Sequence, residues 1–182
     1  MKKLFLAPAL AVALYLVACG GGNSNSNSSA DSTQTTETQS AAPAEQTPDI
    51  PGLDTVAVSN TISLTANDQM KYDKTLFKVK AGESVKLTFK NAGSLPKEAM
   101  GHNVVILIPN TDLAAVAGEA IKAKAEDYIP ATFASSIVAH TKLLGPGETD
   151  NIEFTLKDKG AYEFMCSFPG HYGVMQGHIV AE

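Results

Sequence analysis

The stretch Tyr162-Glu163-Phe164-Met165-Cys166-Ser167-Phe168-Pro169-Gly170-His171-Tyr172-Gly173-Val174-Met175 gathers a thiol, an imidazole and a thioether. Tyr162, Phe164 and Cys166 share one parity of a strand, so Cys166 projects from the inward face at the strand's end. Pro169 and Gly170 turn the chain, which lets His171 and Met175 return toward Cys166. Together they form a soft, sulfur-rich half-site for a metal. A second imidazole must come from elsewhere, and His102 is the best placed of the remaining histidines. It begins an apolar run whose inward parity is shared by Val104, Ile106 and Ile108, and Gly101 before it permits close backbone approach. If the strands of His102 and Cys166 run in opposite directions, both residues lie at one pole of the domain.

Two imidazoles and a thiolate with a weak axial methionine are what a blue copper centre requires. Such a site changes little between Cu(I) and Cu(II) and leaves no open position for substrate. Zinc is the nearest rival, since a cysteine and two histidines bind it, although a methionine adds little for that ion. A Cys–His nucleophile belongs to a different class, and no further motif supports it. A buried structural cysteine would not need the His and Met that follow. His140 reads as a surface residue, His178 as solvent-facing, and Met70, Met100 and Met165 as packing or surface positions.

The elements that must carry these residues are strands. Val56 and Val58, then Ile62, Leu64 and Ala66, alternate with polar neighbours, as do Val85, Leu87 and Phe89 against Lys86, Thr88 and Lys90. Further strands are expected over 75–80, 102–108, 137–142, 151–156, 162–166 and 177–181. About eight short strands fit an antiparallel sandwich. One inserted helix is expected from Asp112 to Asp127, where Leu113, Val116, Ala117, Ala120 and Ile121 recur at helical spacing and Thr111 or Asp112 can cap.

The chain has 182 residues, which is one domain plus appended sequence, and its 14 lysines against 19 acids disfavour nucleic-acid binding. Its two cysteines, Cys19 and Cys166, exclude a disulfide scaffold. Lys2, Lys3 and the apolar run 4–18 have the form of an export signal, too short for a typical transmembrane span. The run ends Leu16-Val17-Ala18-Cys19-Gly20, which resembles a bacterial lipoprotein cleavage signal with Cys19 as the lipidated residue. Residues 19–53 then read as a lipidated cysteine and a disordered linker, rich in Gly, Asn, Ser, Thr and Pro, with an r.m.s. reach of about 30–35 Å. The domain, 54–182, holds 12 lysines against 15 acids, so much of the chain's acidity lies in the tether.

The Cys-Ser-Phe-Pro-Gly-His-x3-Met loop, Met100-Gly101-His102-Asn103, Asn67-Asp68-Gln69-Met70 and Ile137-Val138-Ala139-His140-Thr141-Lys142-Leu143 together resemble the azurins. The likeness runs through residues 54–182 and, with the start of the chain, resembles a lipid-modified azurin of the outer membrane. It implies a cupredoxin-like Greek-key β-sandwich and no enzymatic activity. It also implies one copper ion held by His102, Cys166 and His171, with axial Met175 and a distant Gly101 carbonyl. Asn103 would brace the ligand loop around the Cys166 sulfur. An electron-transfer patch would comprise Met70, Leu95, Met100, Phe168, Pro169 and Val174. Implied partners are c-type cytochromes, copper nitrite reductase or a cytochrome peroxidase, met by a monomer held to the membrane through its lipid. A copper-sequestering or peroxide-protective lipoprotein is the alternative. The chain departs from azurins in lacking a second cysteine for their early disulfide, with Asn60 at that point near Gly82 and Glu83. Val104 stands near the usual core tryptophan, and Asn91 where some members carry a histidine.

Overall fold

In the strand Ser84–Asn91, strict alternation sends Val85, Leu87, Phe89 and Asn91 inward and leaves Ser84, Lys86, Thr88 and Lys90 in water. This strand is the fourth of nine among residues 49–182, which the computed structural model describes. The expected export signal, Cys19 and most of the expected linker lie outside the described residues. In chain order the strands are β1 Thr61–Asn67, β2 Lys71–Tyr72, β3 Leu76–Val79, β4 Ser84–Asn91, β5 Val105–Leu107, β6 Ile137–His140, β7 Thr149–Thr155, β8 Gly160–Met165 and β9 Gln176–Ala181. Two helices, α1 Lys97–Met100 and α2 Leu113–Ala120, are inserted among them.

The strands form two sheets, ordered β2-β1-β4-β7 and β3-β9-β8-β5-β6. Ile62, Leu64, Leu87 and Phe89 of the first meet Val79, Ile106, Phe164 and Ile179 of the second in one apolar core. The sandwich is mixed rather than antiparallel: β1 runs parallel to β4, with Ile62 beside Leu87, and β3 runs parallel to β9. Parallel neighbours arise because the chain crosses between sheets before returning.

That crossing also ends the early alternation. Val58 is 40% exposed and bridges Lys78 of β3, whereas β1 belongs to the other sheet. The chain changes sheets at Ser59 and Asn60, so Val56 and Val58 do not extend β1. Asn60 fastens this crossing: its Oδ1 accepts the Lys80 N–H at 2.8 Å and its Nδ2 donates to the Ser84 carbonyl at 3.2 Å.

The inward parity expected to reach Ile108 stops earlier. Val104 to Leu107 are all fully buried, while Ile108 is 42% exposed. Ile106 faces the main core, whereas Val105 and Leu107 pack with Met165, Val116 and Ala117 beneath α2. Both faces of β5 are therefore covered, which conceals alternation.

Asp112 caps α2, its Oδ1 accepting the N–H groups of Ala114 and Ala115. The helix ends at Ala120 rather than Asp127. Lys124–Glu126 form a single 3-10 turn, and Asp127 and Tyr128 adopt left-handed conformations with φ of 54° and 62°. This bend brings Tyr128 onto Phe168, with ring centroids 5.2 Å apart.

Candidate metal centre

Cys166 follows β8 and is wholly buried. Its N–H donates to the Met175 carbonyl at 2.9 Å, so the two ends of the loop are clamped together. Between them Phe168-Pro169-Gly170-His171 makes a tight turn closed by the His171 N–H on the Phe168 carbonyl, with Gly170 at φ 83°. Proline then glycine in the central positions suits a type II turn. The N–H groups of Val174 and Met175 next fold onto the His171 carbonyl, which returns the buried Met175 toward the core beside Cys166.

His102 arrives from the other side of the loop. Its backbone exchanges hydrogen bonds with Leu144, at 3.1 Å and 2.7 Å. The ring Nε2 lies 3.0 Å from the Asn67 carbonyl, which places the proton there and leaves Nδ1 as a lone-pair donor. That Nδ1 is the single buried side-chain nitrogen or oxygen among the described residues without a hydrogen-bond partner. One ligand atom from each of His102, Cys166 and His171 lies within 4.8 Å of the others, and all three residues are buried. Cys166 Sγ and His171 Nδ1 lie 3.6 Å apart.

Burial pushes the Cys166 thiol up to about 11, although the N–H groups of Asn103 and Phe168 directed at its sulfur oppose the rise. Burial lowers His171 to about 4, helped by the neighbouring His102 charge. His102 is also lowered by burial, against the pull of the Asn67 carbonyl and Asp68. Asp68 is itself held below the usual carboxylate range by hydrogen bonds from the Ser94 backbone and hydroxyl. Two neutral imidazoles around an unpartnered nitrogen and a thiol awaiting a positive charge fit a bound soft or borderline cation.

Asn103 ties the surroundings together. Its Oδ1 accepts the Ser167 N–H at 2.9 Å, and its Nδ2 donates to Ser167 Oγ at 2.8 Å and to the Asp127 carbonyl at 3.1 Å. Gly101 is required for the approach of α1, because a Cβ there would stand 2.6 Å from the Lys97 carbonyl and 3.0 Å from Leu143. Asn91 Nδ2 donates to the Leu144 carbonyl that also receives the His102 N–H. Its signal in the sequence is a polar residue at an inward position of β4. Tyr72 donates its phenolic hydrogen to the Asn103 carbonyl at 2.6 Å, a contact that a two-residue strand does not announce.

Of the six apolar residues expected around the His171 edge, Leu95 and Val174 are well exposed, and Met70, Met100 and Pro169 are half-buried. Phe168 is not a surface residue. It is 8% exposed, packed between Tyr128 and the His171 ring at a centroid distance of 4.6 Å. His140 is exposed and His178 half-buried beside Glu163, outside this cluster.

The copper-binding protein family of plastocyanins and azurins matches residues 58–182. The chain belongs to that family. It is 40% identical over 123 residues to an azurin of Alcaligenes faecalis, covering 65% of this chain and 94% of the relative. An azurin of Bordetella pertussis is 35% identical over 128 residues, covering 68% and 85% of the two chains. Among solved structures, dithionite-reduced auracyanin from Roseiflexus castenholzii superposes with a TM-score of 0.63 at 37% identity, over 69% of this chain and 99% of that one. An azurin of Methylomonas sp. strain J superposes at 0.61 with 29% identity, over 67% and 97%. The azurin-like fold expected from the residues is thus present, with a candidate copper site where three of the expected donor residues converge.

Proposed function

We propose that the domain is a type 1 copper electron carrier and not an enzyme, with His102, Cys166 and His171 as principal ligands, Met175 as axial donor and the Gly101 carbonyl as a distant contact. The observation that carries this reading is the buried meeting of those three side chains around the unpartnered Nδ1 of His102. Bound copper supplies a one-electron Cu(II)/Cu(I) couple. The protein's part is to hold the donors still: Asn67 fixes the His102 ring, Phe168 packs on the His171 ring, and Asn103 latches Ser167 beside Cys166. Ligands held this way move little between oxidation states, which keeps reorganisation small. The buried cluster also excludes water and substrate.

Leu95 and Val174, with Met70, Met100 and Pro169, offer an apolar surface for brief docking of a redox partner such as a c-type cytochrome or a copper nitrite reductase. Lipid attached at Cys19 would hold the carrier at the bacterial outer membrane on its linker, a reading supported by the residues around the end of the apolar run. Copper(II) reconstitution should give an intense visible thiolate-to-copper band and a reversible couple. A colourless Cu(II) complex, or full colour in Cys166→Ser, overturns the assignment. Copper uptake without electron exchange would favour a sequestering role instead. Radioactive palmitate incorporated by the full chain and lost in Cys19→Ala tests the anchor separately.

A further inference from the structure

We infer that Tyr72 is a positioning residue that sets the electron affinity of the copper site through the backbone of Asn103; this deepens the copper-carrier reading and rests on it. Tyr72 touches none of the proposed ligands by hydrogen bond. Its ring is wedged in the core, edge-on to Phe89 at 6.0 Å and tilted against Phe164 at 5.5 Å, so the phenol has little freedom. From there its hydroxyl donates to the Asn103 carbonyl at 2.6 Å. The bond lies in the interior, where an unpaired peptide carbonyl is costly, and its strength grows as water is excluded.

Asn103 is the residue whose N–H is directed at the Cys166 sulfur and whose side chain clasps Ser167 and the Asp127 carbonyl. It directly follows His102. The phenol therefore pins, from the core side, a residue whose side chain links the two ligand-bearing segments. Hydrogen bonds to a thiolate withdraw electron density from sulfur and so favour the reduced form of a metal bound to it. Releasing the Asn103 carbonyl slackens that N–H contact and favours the oxidised form.

Tyr72→Phe keeps the ring packing and removes only the hydroxyl. In the copper-loaded full chain it should shift the equilibrium with a one-electron reference couple toward Cu(II) by about two- to tenfold, at 59 mV per tenfold, and move the thiolate-to-copper band. In metal-free protein it should speed hydrogen exchange at the Asn103 amide by tenfold or more relative to that of Ile179. Phe77→Leu, which removes a ring against Phe164 without touching Asn103, should lower stability but leave the couple in place. In the unmodified chain, replacing the Tyr72 hydroxyl hydrogen by deuterium should displace the Asn103 carbonyl carbon resonance, a test that needs no variant to fold. An unmoved couple and unaltered Asn103 exchange in Tyr72→Phe, or no isotope shift in the native chain, overturns the inference. A native chain that gives no blue band overturns the copper reading instead.

Discussion

At the candidate metal-binding residues, the protonation states follow from burial. With Cys166 at about 11 and His171 at about 4, the metal-free site at neutral pH holds a thiol and two neutral imidazoles. Thiolate binding must then expel a proton while the imidazoles expel none. Loading copper between pH 7 and 8 should release about one proton per ion, measurable by titration in weak buffer, and this release should vanish in Cys166→Ser. The depressed His171 also couples to folding. An unfolded imidazole takes its proton near its ordinary value of about 6.5, whereas the folded one resists until about 4. Within that window the unfolded chain binds the extra proton, so the contribution is complete above the upper value and is lost progressively as pH falls to the lower one. At about 1.4 kcal/mol per pH unit, His171 should cost the metal-free domain on the order of 3 kcal/mol across this window. Denaturant titrations showing flat stability from pH 7 to 4 would contradict it.

The secondary elements show how much of this was legible beforehand. β4 and β8 advertise themselves because one face of each is apolar and the other polar or mixed, and Cys166 could be placed from the parity of Tyr162 and Phe164. β5 is buried on both sides, so its uninterrupted apolar run carries the inward parity on to Ile108, which lies beyond the covered stretch. Phe168 lies in a ligand loop whose sequence suggests exposure, but its burial depends on Tyr128, which a left-handed bend forty residues earlier delivers. The parallel pairs and the Tyr72 contact depend on which strands become neighbours, and no local pattern encodes that. At the junction where azurins carry a disulfide, Asn60 instead makes polar contacts with Lys80 and Ser84 and receives the Lys86 N–H on its own carbonyl. Asn60→Ala should cost about 1–2 kcal/mol in chemical denaturation. Gly177 in β9 leaves room for the Thr75 carbonyl and the Phe164 ring, both of which an added Cβ would strike. Gly177→Ala should therefore destabilise by about 1–3 kcal/mol, visible as a lower Tm with or without metal.

Across the whole molecule, the site and the apolar surface near it are separable. Leu95 and Val174 are 42% and 61% exposed, and their apolar side chains take no part in the hydrogen bonds that shape the site. Leu95→Asp or Val174→Glu should preserve the copper spectrum while slowing electron exchange with a cytochrome partner several-fold in stopped-flow measurements; unchanged rates would remove the surface from the docking reading. The two sheets also impose a timetable. β9 lies between β3 and β8, and the loop before it carries Cys166, His171 and Met175. A chain emerging from its N-terminal side during synthesis or translocation would therefore present His102 well before the other donors, with the five-stranded sheet still open along the edges that β9 later fills. The donor set is thus complete only when the segment that closes the sheet has emerged, so the order of emergence itself keeps an incomplete chain from assembling the site.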